Sequence, residues 1–209
     1  AITPNGVNVA KAIARKMSDA DLFLSAKLSA KNIKAATFEN LADAVSEQFR
    51  RYEGHIFIMA TGIVVRMIAS LIQSKVKDPA VLVVDDRGLH VISLLSGHIG
   101  GANALAIQVA DCIGANPVIT TATDVNQAPA IDVLATEKQL YIENPQAIKT
   151  VNMSLLKSEK IDLHDPYECL KGMVPGSTPW SGLDDKDGSL NDDESANMIL
   201  KARVFIDDV

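Results

Sequence analysis

The sequence predicts an α/β fold, a largely parallel sheet with helices on both faces, followed by a smaller α+β domain. Apolar runs of strand length at residues 55–60, 80–84, 90–95 and 117–122 are near-continuous, as in strands covered on both faces. Segments with apolar residues at helical spacing alternate with them, which is the pattern of strand–helix–strand units. After Val125 the texture changes, so the α/β domain is placed at residues 1–125 and the smaller domain at 126–209.

Taken in order, Thr3 is a suitable N-cap. Pro4 suits the first turn of a helix whose apolar face is Ala10, Ile13, Ala14 and Met17. Residues 21–24 form a short apolar run, and Leu41, Val45 and Phe49 mark the next helix, ended near Gly54. The strand at 55–60 leads through a Thr61-Gly62 turn into a helix carrying Ile63, Val64, Met67, Ile68, Leu71 and Ile72. Asp78-Pro79 breaks that helix before the strand at 80–84, and Asp85-Asp86-Arg87-Gly88 reads as a hairpin turn into the strand at 90–95. Leu105, Val109 and Ile113 mark a helix that Gly114 stops, and the last strand of the sheet, 117–122, ends at Thr123-Asp124. Farther on, Ile131 and Leu134 suggest a short helix, and Ile148, Val151 and Leu155 a second. A strand is expected at 160–164, mostly loop at 165–197 with an acidic stretch at 184–194, and a final alternating strand at 199–206.

Composition narrows the function. The 209 residues are 47% hydrophobic and 22% charged, ordinary for a globular chain, with no apolar run of membrane-spanning length. A net charge of −6, no Lys/Arg cluster and 4% aromatics speak against nucleic-acid binding. Cys112 and Cys169 lie far apart, which points to a reduced, cytoplasmic setting. Four scattered histidines and two distant cysteines have no metal-ligand spacing, so no protein-bound metal is expected. His55, His90 and His164 read as structural or surface residues. The chain opens on Ala1 rather than methionine, and a strand ahead of Ile2 is expected to belong to the fold.

The stretch Ser93-Leu-Leu-Ser-Gly-His-Ile-Gly-Gly-Ala-Asn-Ala-Leu105 concentrates the candidate chemistry. Gly97, Gly100 and Gly101 allow positive φ and close backbone approach, so N–H groups are expected to point outward at a helix N-terminus and form an anion nest. The plain alternative is a tight strand–helix connection that needs small residues. Ser96, His98 and Asn103 add polar side chains. His98 is a candidate general base or a hydrogen-bonded loop histidine. Asp124 is a candidate to orient His98 or activate water, and equally a helix N-cap. Thr61, Gly62, Thr121 and Thr123 lie in the other polar loops, and Arg66 and Arg87 are candidate carboxylate clamps. All these clusters, with residues 3–6, are expected in one crevice beyond the carboxyl ends of the strands. A covalent serine mechanism is disfavoured, because Ser96 and His98 share one loop and no Gly-x-Ser-x-Gly elbow exists.

Thr61-Gly-Ile-Val-Val-Arg66, Asp78-Pro-Ala-Val81, the glycine stretch through Asn103, and Pro117-Val-Ile-Thr-Thr-Ala-Thr-Asp124 together resemble the CbiG family of anaerobic cobalamin biosynthesis. Ile142-Glu-Asn-Pro145 and Val151-Asn152 resemble its middle region, and members usually carry a further C-terminal domain. The resemblance implies hydrolysis: water opens the δ-lactone of cobalt-precorrin 5A, acetaldehyde leaves, and cobalt-precorrin 5B is formed. It makes the N–H groups of Gly100 and Gly101 candidates for an oxyanion site, and His98 with Asp124 the candidate base for water. The expected partner is a cobalt-corrinoid small molecule whose cobalt belongs to the substrate, so no cofactor is expected. Nucleic acid and membrane are not expected partners, and a homodimer is compatible with the sequence without being derived from it. The alternatives are a tetrapyrrole-binding module without turnover, or a domain for another anionic metabolite.

Overall fold

The computed structural model describes residues 1–28, 34–74, 77–159, 161–163, 165, 168–170, 172–175 and 177–179. It forms two compact units, Ala1–Thr120 and Thr121–Val209, a boundary five residues before the expected one.

The first unit opens on α1 (Pro4–Lys16). Thr3 caps it from extended backbone, its Oγ1 accepting the Gly6 N–H at 3.0 Å, with Pro4 in the first turn. Two short strands, β1 (Phe23–Ser25) and β2 (Ala36–Phe38), pair in parallel as a separate sheet. After α2 (Leu41–Gln48) come β3 (Gly54–Ile58), α3 (Thr61–Ile68), β4 (Ala80–Val84), β5 (His90–Leu95), α4 (Ala102–Ile113) and β6 (Asn116–Val118). The second sheet has the order β3-β4-β5-β6. Its outer pairs are parallel, and β4 meets β5 antiparallel. The expected hairpin therefore exists. Its turn is held by the Asp85 carboxylate, which accepts N–H bonds from Arg87 (2.9 Å), Leu89 (2.9 Å) and His90 (2.6 Å).

All five residues of β4 are buried, because alternate side chains enter different cores. Leu82 and Val84 pack with Ala10 and Ile13 of α1 and with Ala106 and Val109 of α4. Val81 and Val83 pack with Val45 of α2 and with Val64 and Ile68 of α3. Helices thus cover both faces, as expected. Each fully buried Val or Leu here contributes about 1.5–3 kcal/mol, so this strand is the centre of the unit's stability.

Several local expectations change. Thr61 and Gly62 are the first residues of α3 rather than a turn before it. The last strand is shorter than expected, and Pro117 suits its place at the sheet edge, where a missing N–H is tolerated. Thr123 and Asp124 lie inside a one-turn helix, α5 (Ala122–Val125), and do not end a strand.

The second unit contains α5, α6 (Ile131–Glu137), a 3-10 turn (Pro145–Ala147), α7 (Ile148–Leu156), β7 (Ile161–Leu163) and β8 (Ser177–Pro179). Leu134, Val151, Leu155, Ile161, Leu170 and Val174 form its core. Asn152 joins α7 to α6: its Nδ2 donates to Asp132 Oδ1 at 2.9 Å, and its Oδ1 accepts the Ile131 N–H at 2.8 Å. The expected strand at 160–164 is present as β7, paired in parallel with a strand where loop was expected. His164, the acidic stretch 184–194 and the expected strand 199–206 lie outside the described residues.

Candidate functional site

The direction of β5 decides where the candidate residues meet. Ile58 of β3 lies opposite Val84 of β4, so both strands end at one edge. The first residue of β5 to pair with β4, Val91, lies opposite Val84, and its last residue Leu95 lies opposite Val81. Ser96 therefore leaves the sheet at the edge where β3 and β4 begin. The expected single crevice is two places, on opposite edges.

At the carboxyl edge of β3 and β4 sit Thr3, Asn5, Thr61, Gly62 and the Asp85–Arg87 turn. The Thr3 hydroxyl donates to Asp86 Oδ1, and Asn5 Nδ2 donates to Asp86 Oδ2 at 3.2 Å. Arg66 bends back along α3 to donate to the Gly62 carbonyl at 3.1 Å. Arg87, in the hairpin, is separated from Ser96 by the six residues of β5, roughly 20 Å of strand. Neither Arg66 nor Arg87 lines the cleft at the glycine loop, so the expected clamp beside that loop is not formed by them.

At the opposite edge the glycine loop closes tightly on itself. Ser96 takes φ +60°, a left-handed conformation that costs a non-glycine residue about 1–2 kcal/mol. Its hydroxyl donates to the Asp78 carbonyl at 2.9 Å and its own carbonyl accepts the Ala102 N–H at 3.0 Å. The register slips between Val81 and Leu82, a bulge that turns the end of β5 toward this loop. A Cβ on Gly100 would stand 2.3 Å from Ser96 Cβ and 2.9 Å from Ser96 O, so only glycine fits there. Gly101 has φ +79° and begins α4 without a side-chain cap.

The expected outward-pointing nest is corrected in part. The N–H groups of Gly101, Ala102 and Asn103 donate to the carbonyls of His98 (2.8 Å), Ser96 (3.0 Å) and Gly97 (2.9 Å). The Gly101 N–H is thus spent within the loop, satisfying helix-start donors internally. Asn103 is 6% exposed and accepts from Ser93 Oγ at 2.7 Å, stitching α4 to β5. Ser96, Gly97, His98, Gly100 and Gly101 remain half-buried and reachable.

A cleft of about 550 Å³ runs from Ile99 and Gly100 past Arg50, Arg51 and Lys77 to Asp78 and Pro79. Arg50 is anchored, donating to the Leu71 carbonyl at 2.8 Å and to Asp78 at 3.4 Å, while the Asp78 carboxylate also accepts the Gln73 N–H. Arg51 and Lys77 are exposed. These three cations were not singled out from the sequence. The hairpin at residues 85–88 was the available signal, since it sends the glycine loop back toward whatever precedes β4.

In the second unit, Thr121 Oγ1 donates to Asp124 Oδ2 at 2.5 Å, and Thr123 is buried. Elsewhere in the first unit, His55 stacks between Phe49 and Phe57, with ring centroids 5.4 and 5.9 Å away, and its Nε2 lies 3.0 Å from the Phe49 carbonyl. Burial holds its pKa below the ordinary histidine value, and the bond to that carbonyl opposes the shift. His55 is a structural residue, as expected. Burial raises the Asp85 carboxyl, but its three backbone donors and nearby His90 outweigh that and hold it low. Among the described residues, no three His, Cys, Asp or Glu side chains are grouped to hold a metal ion, and no helix is long and apolar enough to cross a membrane.

Comparison with known proteins adds a second line. The family model for the cobalamin synthesis G N-terminal region matches residues 43–124, and that for the cobalamin biosynthesis central region matches residues 129–208. The cobalt-precorrin-5A hydrolase of Salmonella typhimurium is 46% identical over 164 residues, covering 78% of this chain and 46% of that protein. That of Priestia megaterium is 37% identical over 165 residues, covering 77% and 44%. The chain thus spans less than half the length of these relatives. A solved structure described as a cobalamin biosynthesis protein G homolog from Sulfolobus solfataricus aligns with a TM-score of 0.44 at 24% identity, over 78% of this chain and 47% of that one. The two family matches follow one another without overlap, and the glycine loop lies inside the first. The chain belongs to the CbiG family of cobalamin biosynthesis, of which it carries the N-terminal and central regions.

Proposed function

We propose that this chain is the part of a cobalamin-biosynthesis hydrolase that receives cobalt-precorrin 5A and opens its δ-lactone with water, releasing acetaldehyde and leaving cobalt-precorrin 5B. The observation that carries the reading is 46% identity, over 78% of the chain, to a protein named cobalt-precorrin-5A hydrolase. The cleft at the glycine loop supports it chemically. The substrate bears several carboxylates, and a chain of net charge −6 gains nothing from long-range attraction. Local cations must hold those groups, and Arg51 and Lys77 stand beside Gly100 for that task. His98, half-buried on the same loop, is the base that takes a proton from water as it attacks the lactone carbonyl. The cobalt arrives with the substrate, and the reaction needs no metal of the protein's own. Two cysteines far apart in the chain, Cys112 and Cys169, fit a reducing, cytoplasmic setting.

A second reading is favoured by the coverage of the relatives, which is 46% and 44% of their length. In it this chain binds the corrinoid and the chemistry depends on a further part. Incubation of the 209-residue chain with cobalt-precorrin 5A, assayed for acetaldehyde, separates the two. Release at an enzymatic rate places the catalytic groups within these residues. A bound corrinoid recovered unchanged assigns the chain to binding alone.

A further inference from the structure

Of the cations that line the cleft at the glycine loop, Arg50 is held differently from Arg51 and Lys77. It follows the end of α2, where its Nη2 donates to the Leu71 carbonyl at 2.8 Å and to Asp78 Oδ1 at 3.4 Å. Its guanidinium carbon stands 5.9 Å from the centroid of the Phe49 ring. That ring is itself fixed, 1% exposed and stacked on His55. A planar group tied at one nitrogen and set over a fixed ring has little freedom left to lose. Arg51 and Lys77 are exposed long side chains and give up rotamer freedom when they hold a ligand.

The donors of Arg50 are not exhausted by these bonds. A guanidinium carries five N–H groups, and both protein acceptors are served from Nη2. Nη1 and Nε have no acceptor among the described residues, while the side chain is 42% exposed and lines the cleft. The plain alternative is a surface ion pair with Asp78, of the kind that contributes little. The geometry speaks against it. The Asp78 side chain is 1% exposed and both its oxygens accept the Gln73 N–H at 3.0 Å, so backbone fixes this carboxylate without Arg50. The contact to Arg50 is also longer than the roughly 2.7–2.9 Å of a strong charge-assisted bond. Asp78 thus orients Arg50, rather than needing it. Through its main-chain carbonyl Asp78 also holds Ser96, so one residue joins the end of α2, the loop carrying Lys77 and the glycine loop.

We propose that Arg50 is the specificity-determining residue of this cleft, taking one carboxylate arm of the ligand from Nη1, and that Asp78 is the positioning residue that holds it for this task. The proposal rests on the corrinoid reading above for what carries the carboxylate. A lysine in this place keeps the charge but brings a single nitrogen, which cannot serve the anchors and the ligand from separate atoms as a guanidinium does.

Binding of cobalt-precorrin 5A and of its methyl-esterified form is titrated by absorbance for the parent chain, Arg50→Lys, Asp78→Asn, the double variant and Arg66→Lys, with a thermal melt of each. The parent is expected to prefer the free acid, and Arg50→Lys to lose about tenfold or more of that preference although the charge is kept. Asp78→Asn should lose part of it and add nothing in the Arg50→Lys background, since the two act as one unit. Arg66→Lys, away from the cleft, should behave as the parent. A purely structural Arg50 would instead lower Tm and weaken acid and ester alike. In a second measurement, phenylglyoxal modification of Arg50 is followed by peptide mass spectrometry, and tricarballylate is expected to protect it where the corresponding triamide does not. An acid preference that survives Arg50→Lys overturns the proposal and leaves the corrinoid reading standing. Protection by tricarballylate in a chain that binds neither corrinoid upholds the carboxylate site and overturns the corrinoid reading. Absence of both protection and corrinoid binding overturns the two together.

Discussion

The Ser96 hydroxyl donates to the Asp78 main-chain carbonyl at 2.9 Å, tying the residue that leaves β5 to the turn that precedes β4. The bond exists because β5 runs against β4. It closes the edge on which the glycine loop, Arg50, Arg51 and Lys77 lie together.

Gly100 and Gly101 should respond differently to alanine. At Gly100 the new methyl meets Ser96 Cβ and backbone, neither of which can yield cheaply, so G100A is expected to destabilise the chain by about 1–3 kcal/mol. At Gly101 nothing lies within 4 Å, and only the left-handed backbone at φ +79° resists. G101A should cost about 1–2 kcal/mol, and G101N less, because asparagine tolerates this conformation. Urea unfolding of the three variants measures the order, and a G100A chain as stable as the parent contradicts the geometry.

Thr3 serves two bonds at once, accepting from Gly6 N–H and donating to Asp86. Thr3→Val keeps the shape and removes both, with an expected loss of about 1–2 kcal/mol. Thr3→Ser should recover most of it. Thermal melts of the pair check this.

The His55 pKa is lowered, so the unfolded chain binds the proton more readily than the folded one. The sign follows from linkage: stability rises with pH through the window from the depressed folded value up to the ordinary value near 6.5, and is lost as pH falls through it. His55→Phe retains an aromatic ring between Phe49 and Phe57 and should flatten this slope. Denaturation midpoints at pH 5 and pH 8 for both chains measure the difference.

In the proposed function Arg51 and Lys77, exposed beside Gly100, hold carboxylates of the corrinoid, and that contribution should be sensitive to salt. Replacing either by alanine is expected to weaken corrinoid affinity several-fold, with a smaller effect at high ionic strength. Arg66→Ala and Arg87→Ala, away from this cleft, should leave affinity unchanged. Titration of the corrinoid by absorbance at two salt concentrations decides it.

In the second unit, Asn152→Leu removes a donor to Asp132 and an acceptor for the Ile131 N–H. Asp132 is 5% exposed, so the loss of this donor, together with the acceptor for the Ile131 N–H, should cost about 1–3 kcal/mol. The effect should show as loosened amide protection in α6 and α7.

By itself the sequence determined the features whose causes are local. The Thr3 cap, Pro4 in the first turn, Gly114 ending α4 and the Asp85–Gly88 turn each follow from residues within four or five positions of one another, and all are present. The apolar runs at 55–60, 80–84 and 90–95 likewise named strands of the sheet, whereas the run at 117–122 gave only a short edge strand without a buried residue, and the quoted motifs named the family. Only the tertiary structure decided which loops share an edge. One antiparallel step between β4 and β5 moved the glycine loop away from Thr61, Gly62 and Arg87 and set it beside Arg50, Arg51 and Lys77. Contacts such as Ser96 with Asp78, or Thr3 with Asp86, join residues 18 and 83 positions apart. Such pairings depend on strand order and direction, which emerge from packing the whole sheet and leave no periodic trace in the chain.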